Sequence, residues 1–127
     1  MNVVDSSGWL EYFAAGPNAD FFAAAVEATD ELIVPTVSVY EVFKRVSQQR
    51  GEGDALQAVA LMQQGDVVDL SIHLALEAAR TSMALGIPMA DSIILATAQS
   101  SDATLWTQDA DFAEIDGVRY VAKRGSD

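Results

Sequence analysis

The sequence predicts an α/β fold in which a mostly parallel five-stranded sheet lies between two layers of helices. Two observations carry that expectation. Short β-branched or apolar runs alternate with longer segments of helical spacing along the whole chain. No internal repeat, low-complexity segment or linker interrupts the 127 residues, so they form one domain spanning 1–127.

The elements follow in order. NVVD (2–5) is a short β-branched strand, and SSGWLEYFAAG (6–16) puts Trp9, Leu10 and Phe13 at helical spacing before Gly16-Pro17 stops the helix. NADFFAAAVEAT (18–29) reads as a second helix, and ELIVP (31–35) as a buried strand closed by Pro35. TVSVYEVFKRVSQQRG (36–51) sets Val39, Val42, Phe43 and Val46 on one side, and DALQAVALMQQG (54–65) repeats the pattern after the exposed turn QQRGEGD (48–54). DVVDL (66–70) is a third strand, and SIHLALEAARTSMALG (71–86) is a long amphipathic helix stopped by Gly86. A helix from Pro88 to about Ser100 follows, then strands ATLW (103–106) and VRYVA (118–122).

Composition narrows the function. Half the residues are hydrophobic, so the chain folds into an ordered globule. There are no cysteines, which removes disulfides and thiolate metal sites. The start MNVVDSS lacks the basic and apolar regions of a secretion signal, and no uncharged apolar run approaches the ~18 residues of a membrane span. A cytoplasmic protein with no membrane partner is expected. With 19 acidic and 7 basic residues the net charge is −12, which opposes broad adhesion to nucleic acid. An anionic substrate then needs local help from a bound metal, from the few cations, or from a basic partner.

Ligands of open parallel sheets collect beyond the carboxyl ends of the strands, where strand order reverses. Asp5 ends the first strand, and TQDADF places Asp109 and Asp111 just beyond the fourth. Glu41 lies one turn into the helix after the second strand, and Asp91 in the first turn of the helix before the fourth. If the first and fourth strands are neighbours, these acids converge. Each also has an ordinary structural reading. Asp91 and Asp5 suit helix starts, Ser38-Val39-Tyr40-Glu41 fits a capping box, and Asp109 and Asp111 suit a turn. A converged cluster is more demanding: two carboxylates about 4 Å apart repel by roughly 4 kcal/mol at an effective dielectric of 20, so the cluster takes up protons or binds a cation. Carboxylate oxygens without thiols select hard ions, Mg²⁺ or Mn²⁺, which activate water and neutralise charge at a phosphodiester.

At this point the chain resembles the PIN-domain family and, within it, the VapC-type toxins of toxin–antitoxin pairs. The resemblance lies in VVDSSGWLEYF, VPTVSVYEVFKR, GIPMADSIILATAQ and ATLWTQDADF, which carry four acids in the family's order over nearly the whole chain. It implies a PIN-like three-layer fold and a metal-dependent endoribonuclease that cleaves single-stranded segments of structured RNA. It also implies Asp5, Asp91 and Asp109 as holders of Mg²⁺ or Mn²⁺, and Glu41 as a further ligand or the residue that orients the attacking water. Asp111 is a supporting candidate, and Ser6 and Thr107 can supply hydroxyls behind the acids or to the phosphate. The partners implied are an RNA substrate, a cognate antitoxin whose C-terminal segment docks near the acids, and a second copy of the chain as a homodimer.

Lys44 and Arg45, three and four residues after Glu41, share its helix side and are candidate RNA contacts, against the plainer reading of a solvated face. Arg119, Lys123 and Arg124 form a second small basic group. Trp9, Tyr12, Phe13, Phe21 and Phe22 crowd the first two helices; the core takes most of them, and some are expected to line a groove for a partner. His73, the sole histidine, is expected on the surface at a helix start. Two other classes remain open: a receiver-like Mg²⁺-binding signalling domain with Asp69 as phospho-acceptor, and a metal-dependent phosphatase of small esters.

Overall fold

The structure, a computed structural model, describes residues 1–124. Five strands, β1 (Asn2–Val4), β2 (Leu32–Pro35), β3 (Asp66–Val68), β4 (Thr104–Thr107) and β5 (Val118–Tyr120), form one sheet in the order β3-β2-β1-β4-β5. Every neighbouring pair is parallel. The chain moves outward from β1 through β2 to β3, then returns to the other side of β1 with β4. Strand order therefore reverses between β1 and β4, at the centre of the sheet.

Six helices cover the sheet: α1 (Ser6–Phe13), α2 (Ala19–Val26), α3 (Thr36–Arg50), α4 (Glu52–Met62), α5 (Ile72–Leu85) and α6 (Met89–Ser100). Successive strand residues face opposite sides, and the core divides accordingly. Val4, Val34 and Trp106 pack with Trp9, Phe22, Val42, Ala58 and Met62 from α1 to α4. Val3, Ile33 and Leu105 pack on the opposite side with Ile94, Leu95 and Ala98 of α6 and with Phe112. α6 is buried along most of its length, which explains its run of small and apolar residues. α5 packs outside it, on α6.

The expected strands and helices are present, in the expected order. Ser71 caps α5 by accepting the Leu74 N–H at 3.1 Å, and Gly86, at φ 68°, ends it in the left-handed conformation that costs glycine little. Short 3-10 turns at Thr29–Glu31 and Ala110–Phe112 were not expected; Glu31 joins the first of them, not the strand. The receiver-like alternative loses its main residue here. Asp69 follows β3, an edge strand, whereas the acid following the central strand is Asp5.

α1 lies close against the sheet because residue 8 has no side chain. A Cβ there would sit 2.5 Å from Phe22 Cε1 and 2.8 Å from Val4 Cγ1, both in fully buried side chains. Gly8→Ala is expected to destabilise the fold by about 1–3 kcal/mol through overpacking. Gly53→Ala, with nothing within 4 Å of the new atom, should stay within about 0.5 kcal/mol of wild type. Urea midpoints of the two variants check the contrast.

Candidate active site

The reversal of strand order builds the site. β1 ends at Val4, opposite Trp106 of β4, and the next residue, Asp5, donates its N–H to the Trp106 carbonyl at 3.0 Å. Asp5 thus leaves the carboxyl end of the central strand with a fixed backbone, and its side chain is only 3% exposed. Thr107 ends β4 beside it. The Thr107 hydroxyl donates to Asp5 Oδ2 at 2.9 Å and accepts the N–H of Asp109 at 2.9 Å. One buried threonine therefore aims two acids that are 104 positions apart in the chain.

Other hydroxyls complete this arrangement. Ser7 donates to Asp5 Oδ2 at 3.0 Å, and Ser6 donates to Glu41 Oε1 at 2.7 Å, linking the start of α1 to the first turns of α3. Behind Asp109, buried Asn18 donates to Gln108 Oε1 at 3.0 Å and to the Ala122 carbonyl at 3.1 Å, while Gln108 donates to the Ser7 carbonyl at 3.4 Å. These buried amides join α1, α2 and the segments after β4 and β5.

The expected side-chain capping bond is missing at three of the acids. α3 begins at Thr36 with Pro35 at its cap, so Ser38 is inside the helix, fully buried, and forms no capping box with Glu41. α6 begins at Met89 with Pro88 at its cap, and the Asp91 carboxylate makes no capping hydrogen bond. Asp5 occupies the cap position of α1 but also makes no capping bond with its side chain. At the fourth acid the turn reading holds: Asp109 Oδ1 accepts the Asp111 N–H at 2.9 Å. Asp109 both lines the cleft and holds the turn, while the Asp111 side chain is exposed.

Asp5, Glu41, Asp91 and Asp109 line one open cleft of about 530 Å³ together with Ser6, Ser7, Lys44 and Arg45. Their charges act on one another. Asp91, half-buried, has its pKa raised from 3.8 to about 6, first by burial and then by the charges of Asp5, Asp109, Glu41 and Asp111. Burial also raises the Asp5 pKa, against the lowering effect of the Thr107 and Ser7 hydroxyls, and Asp109 raises it further.

The sequence model of the PIN domain matches residues 3–118, from β1 to the start of β5. The chain belongs to the PIN domain family. No curated protein matches it by sequence. Solved structures match its fold closely. A toxin–antitoxin complex from Klebsiella pneumoniae is 21% identical, with 94% of this chain and 96% of that chain covered and a TM-score of 0.79. VapC20 of Mycobacterium tuberculosis, described as a Sarcin-Ricin loop cleaving toxin, is 15% identical over 93% and 97% of the two chains, with a TM-score of 0.78. DNA-bound VapBC from Salmonella typhimurium is 14% identical over 96% and 97%, with a TM-score of 0.73.

In this PIN domain four carboxylates face the cleft, beside serine and tyrosine hydroxyls and the Gln48 amide, an oxygen-rich lining that suits a hard divalent ion. The second oxygens of Glu41 and Asp109, and both oxygens of Asp91, accept no hydrogen bond from the described residues, so they are free to act as ligands. Among the described residues no three of these acids are drawn together as a closed ligand cluster. The carboxylates surround a shared space without converging on one point.

The remaining candidates separate clearly. Lys44 and Arg45 line the cleft, and the one ion pair among the described residues, Arg80–Glu77 on α5, does not involve them. Arg119 lies instead over the Trp106 ring, 4.4 Å from its centroid, while Lys123 borders a neighbouring depression that shares Ser7 and Asp109 with the cleft. His73 is exposed on α5, away from the acids. The rings of the first two helices turn mainly to the core. Trp9 and Phe22 are fully buried, and Tyr12, Phe13 and Phe21 pack partly buried against the same core. Ser7, Tyr40, Gln48, Asn18 and Gln108 bear on the site without having been singled out. The doubled serine of DSSG is the one available signal, since the others depend on contacts remote in sequence.

Asp91 gives the site a pH signature. Its folded pKa of about 6 exceeds the ordinary 3.8, so between these values the folded chain holds the proton more tightly and stability contributed by the protonated form is lost as pH rises. With chelator present, the Tm of Asp91→Asn minus that of wild type should widen from about pH 4 to about pH 7 and then level off. A difference independent of pH would show that Asp91 carries no such strain.

Proposed function

We propose that this PIN domain is a metal-dependent endoribonuclease, the cytoplasmic toxin of a toxin–antitoxin pair, that hydrolyses RNA phosphodiesters with an activated water. The observation that carries this reading is the meeting of four acids from four separate elements in one cleft, with Asp91 raised to about 6 first by burial and then by the charges of the others. The solved toxins of the same fold make RNA cleavage the reading to test first.

Asp5, Asp91 and Asp109 would hold Mg²⁺ or Mn²⁺, directly or through water. The ion supplies a lowered pKa for bound water and neutralises charge developing on the phosphodiester. Glu41, held by Ser6 through one oxygen, offers the other to ligate the ion or to orient and deprotonate the attacking water. The Thr107 and Ser7 hydroxyls oppose the upward pKa shift that burial gives Asp5, and they fix its direction. Lys44 and Arg45 contact backbone phosphates at the cleft wall. Water attacks phosphorus in line and loses its proton to solvent by way of Glu41; the P–O3′ bond breaks, the leaving 3′-oxygen takes a proton from solvent to become a hydroxyl, and the phosphate stays on the 5′ side of the cut. His73 takes no part. Asp111 supports the site from its rim through its charge and through the turn held by Asp109.

The antitoxin would place a cationic segment among the acids, matching a chain of net charge −12. A second copy would cover the opposite kind of surface, the groove between α5 and α6. No charged residue lines that groove, which is bordered by the exposed Met83 and Met89. No single helix among the described residues is long and apolar enough to cross a membrane.

Wild type should cut RNA with Mg²⁺ or Mn²⁺ and stop when EDTA is added. Asp91→Asn should stay folded and lose more than the roughly 10–100-fold that altering a supporting partner costs. Equal cleavage by both proteins, or cleavage that survives EDTA, would contradict the proposal. Hydrolysis of a small chromogenic phosphoester with RNA left intact would assign a phosphatase instead.

Divalent ion should also raise the Tm of wild type and leave that of Asp91→Asn nearly unchanged, because an ion stabilises only a fold that binds it. Thermal melts with and without Mn²⁺ provide this check without any substrate. An equal rise in both proteins would place the ion elsewhere.

A further inference from the structure

Ten aromatic residues are present, and nearly all are buried or half-buried. Tyr40, 61% exposed, and Tyr120, 37% exposed, are the exceptions. Both stand at the acids. Tyr40 precedes Glu41 on α3 and lines the acidic cleft. Tyr120 ends β5 in register with Thr107, the residue that holds Asp5, and lines the adjoining depression. The two depressions share Ser7 and Asp109, so they adjoin at that acid, with one ring in each. Each depression also holds a lysine. The Lys44 ammonium lies 5.8 Å from the Tyr40 ring centroid, and Lys123 lines the Tyr120 depression.

An exposed ring and a lysine in each of two depressions that adjoin at an acid match what an unpaired nucleic-acid strand requires. Bases stack on the rings whatever their identity, and phosphates meet the cations. Bases inside a duplex are already stacked and offer no free face. A chain of net charge −12 cannot hold RNA by long-range attraction, so short-range stacking has to contribute much of the grip.

We propose that Tyr40 and Tyr120 are base-stacking platforms that hold an unpaired RNA segment across Asp109, one base on each side of the phosphate to be cut. This rests on the endoribonuclease reading, and it assigns to two named side chains the preference for unpaired RNA that the family resemblance implies. Lys44 and Lys123 fix the backbone beside each platform.

The test measures binding by fluorescence anisotropy in Mg²⁺ on the Asp91→Asn chain, so that hydrolysis does not consume the probe. The probes are an unstructured RNA octamer, the same octamer paired with its complement, and an octamer of the same phosphate count with abasic central positions. The octamer should bind about tenfold or more tighter than the duplex. Adding Tyr40→Ala or Tyr120→Ala should each weaken octamer binding by about tenfold, within the range measured for lost base stacking. Tyr40→Phe and Tyr120→Phe should restore it, and the abasic probe should bind all variants alike. Unchanged melting temperatures show that the variants are folded.

Equal binding of duplex and octamer, or equal loss on the abasic probe, would overturn the proposal. Wild-type cleavage is scored separately. Chelator-sensitive cleavage with no effect of the tyrosine variants removes the platforms and leaves the nuclease. The expected binding pattern without wild-type cleavage supports the platforms and removes the nuclease.

Discussion

Mutual repulsion among carboxylates at the centre of the sheet is the constraint on which the rest of this structure depends. A parallel sheet whose strand order reverses between β1 and β4 leaves a gap at its carboxyl end, and both flanking strands deliver acids to it. α3 and α6 add Glu41 and Asp91. The fold thus brings together charges that are unfavourable together, and the pKa of Asp91, raised first by burial, is raised further by each of them. Such an arrangement persists only where surrounding structure compensates for it.

The compensation is visible in the supporting residues. Thr107, Ser6 and Ser7 each donate a hydroxyl to a carboxylate, and the Asn18–Gln108 pair braces the backbone that carries Asp109. None of these groups is charged. They fix the direction of the acids without neutralising them, so the negative potential of the cleft remains available to a cation. Lys44 and Arg45 stand at the wall of the cleft, among the few cations of a strongly acidic chain.

Much of this was legible in the sequence because it depends on local periodicity. The alternation of apolar runs with amphipathic segments specified all five strands and six helices, and the run ADSIILATA marked a helix buried on nearly every side, as α6 is. The convergence of the acids depended on β1 lying beside β4, a contact between residues about 100 positions apart that no local pattern encodes. The local rules misled where tertiary contacts override them. Ser38 and Glu41 have the spacing of a capping box, but Pro35 starts the helix earlier and Glu41 turns to Ser6. The rings of α1 and α2 looked too numerous for one core, yet the sheet face beneath them accommodates Trp9 and Phe22 completely. The exposed aromatics, Tyr40 and Tyr120, sit in segments whose sequence gave no sign of it.

A direct test of the central claim is a Mn²⁺ titration of the intact chain at neutral pH, followed by electron paramagnetic resonance of the free ion. We expect saturable uptake by wild type that is lost in both Asp5→Asn and Asp91→Asn, two acids from separate elements of the fold. Uptake unchanged in both variants, or no uptake by wild type, would contradict a cation site built from these carboxylates.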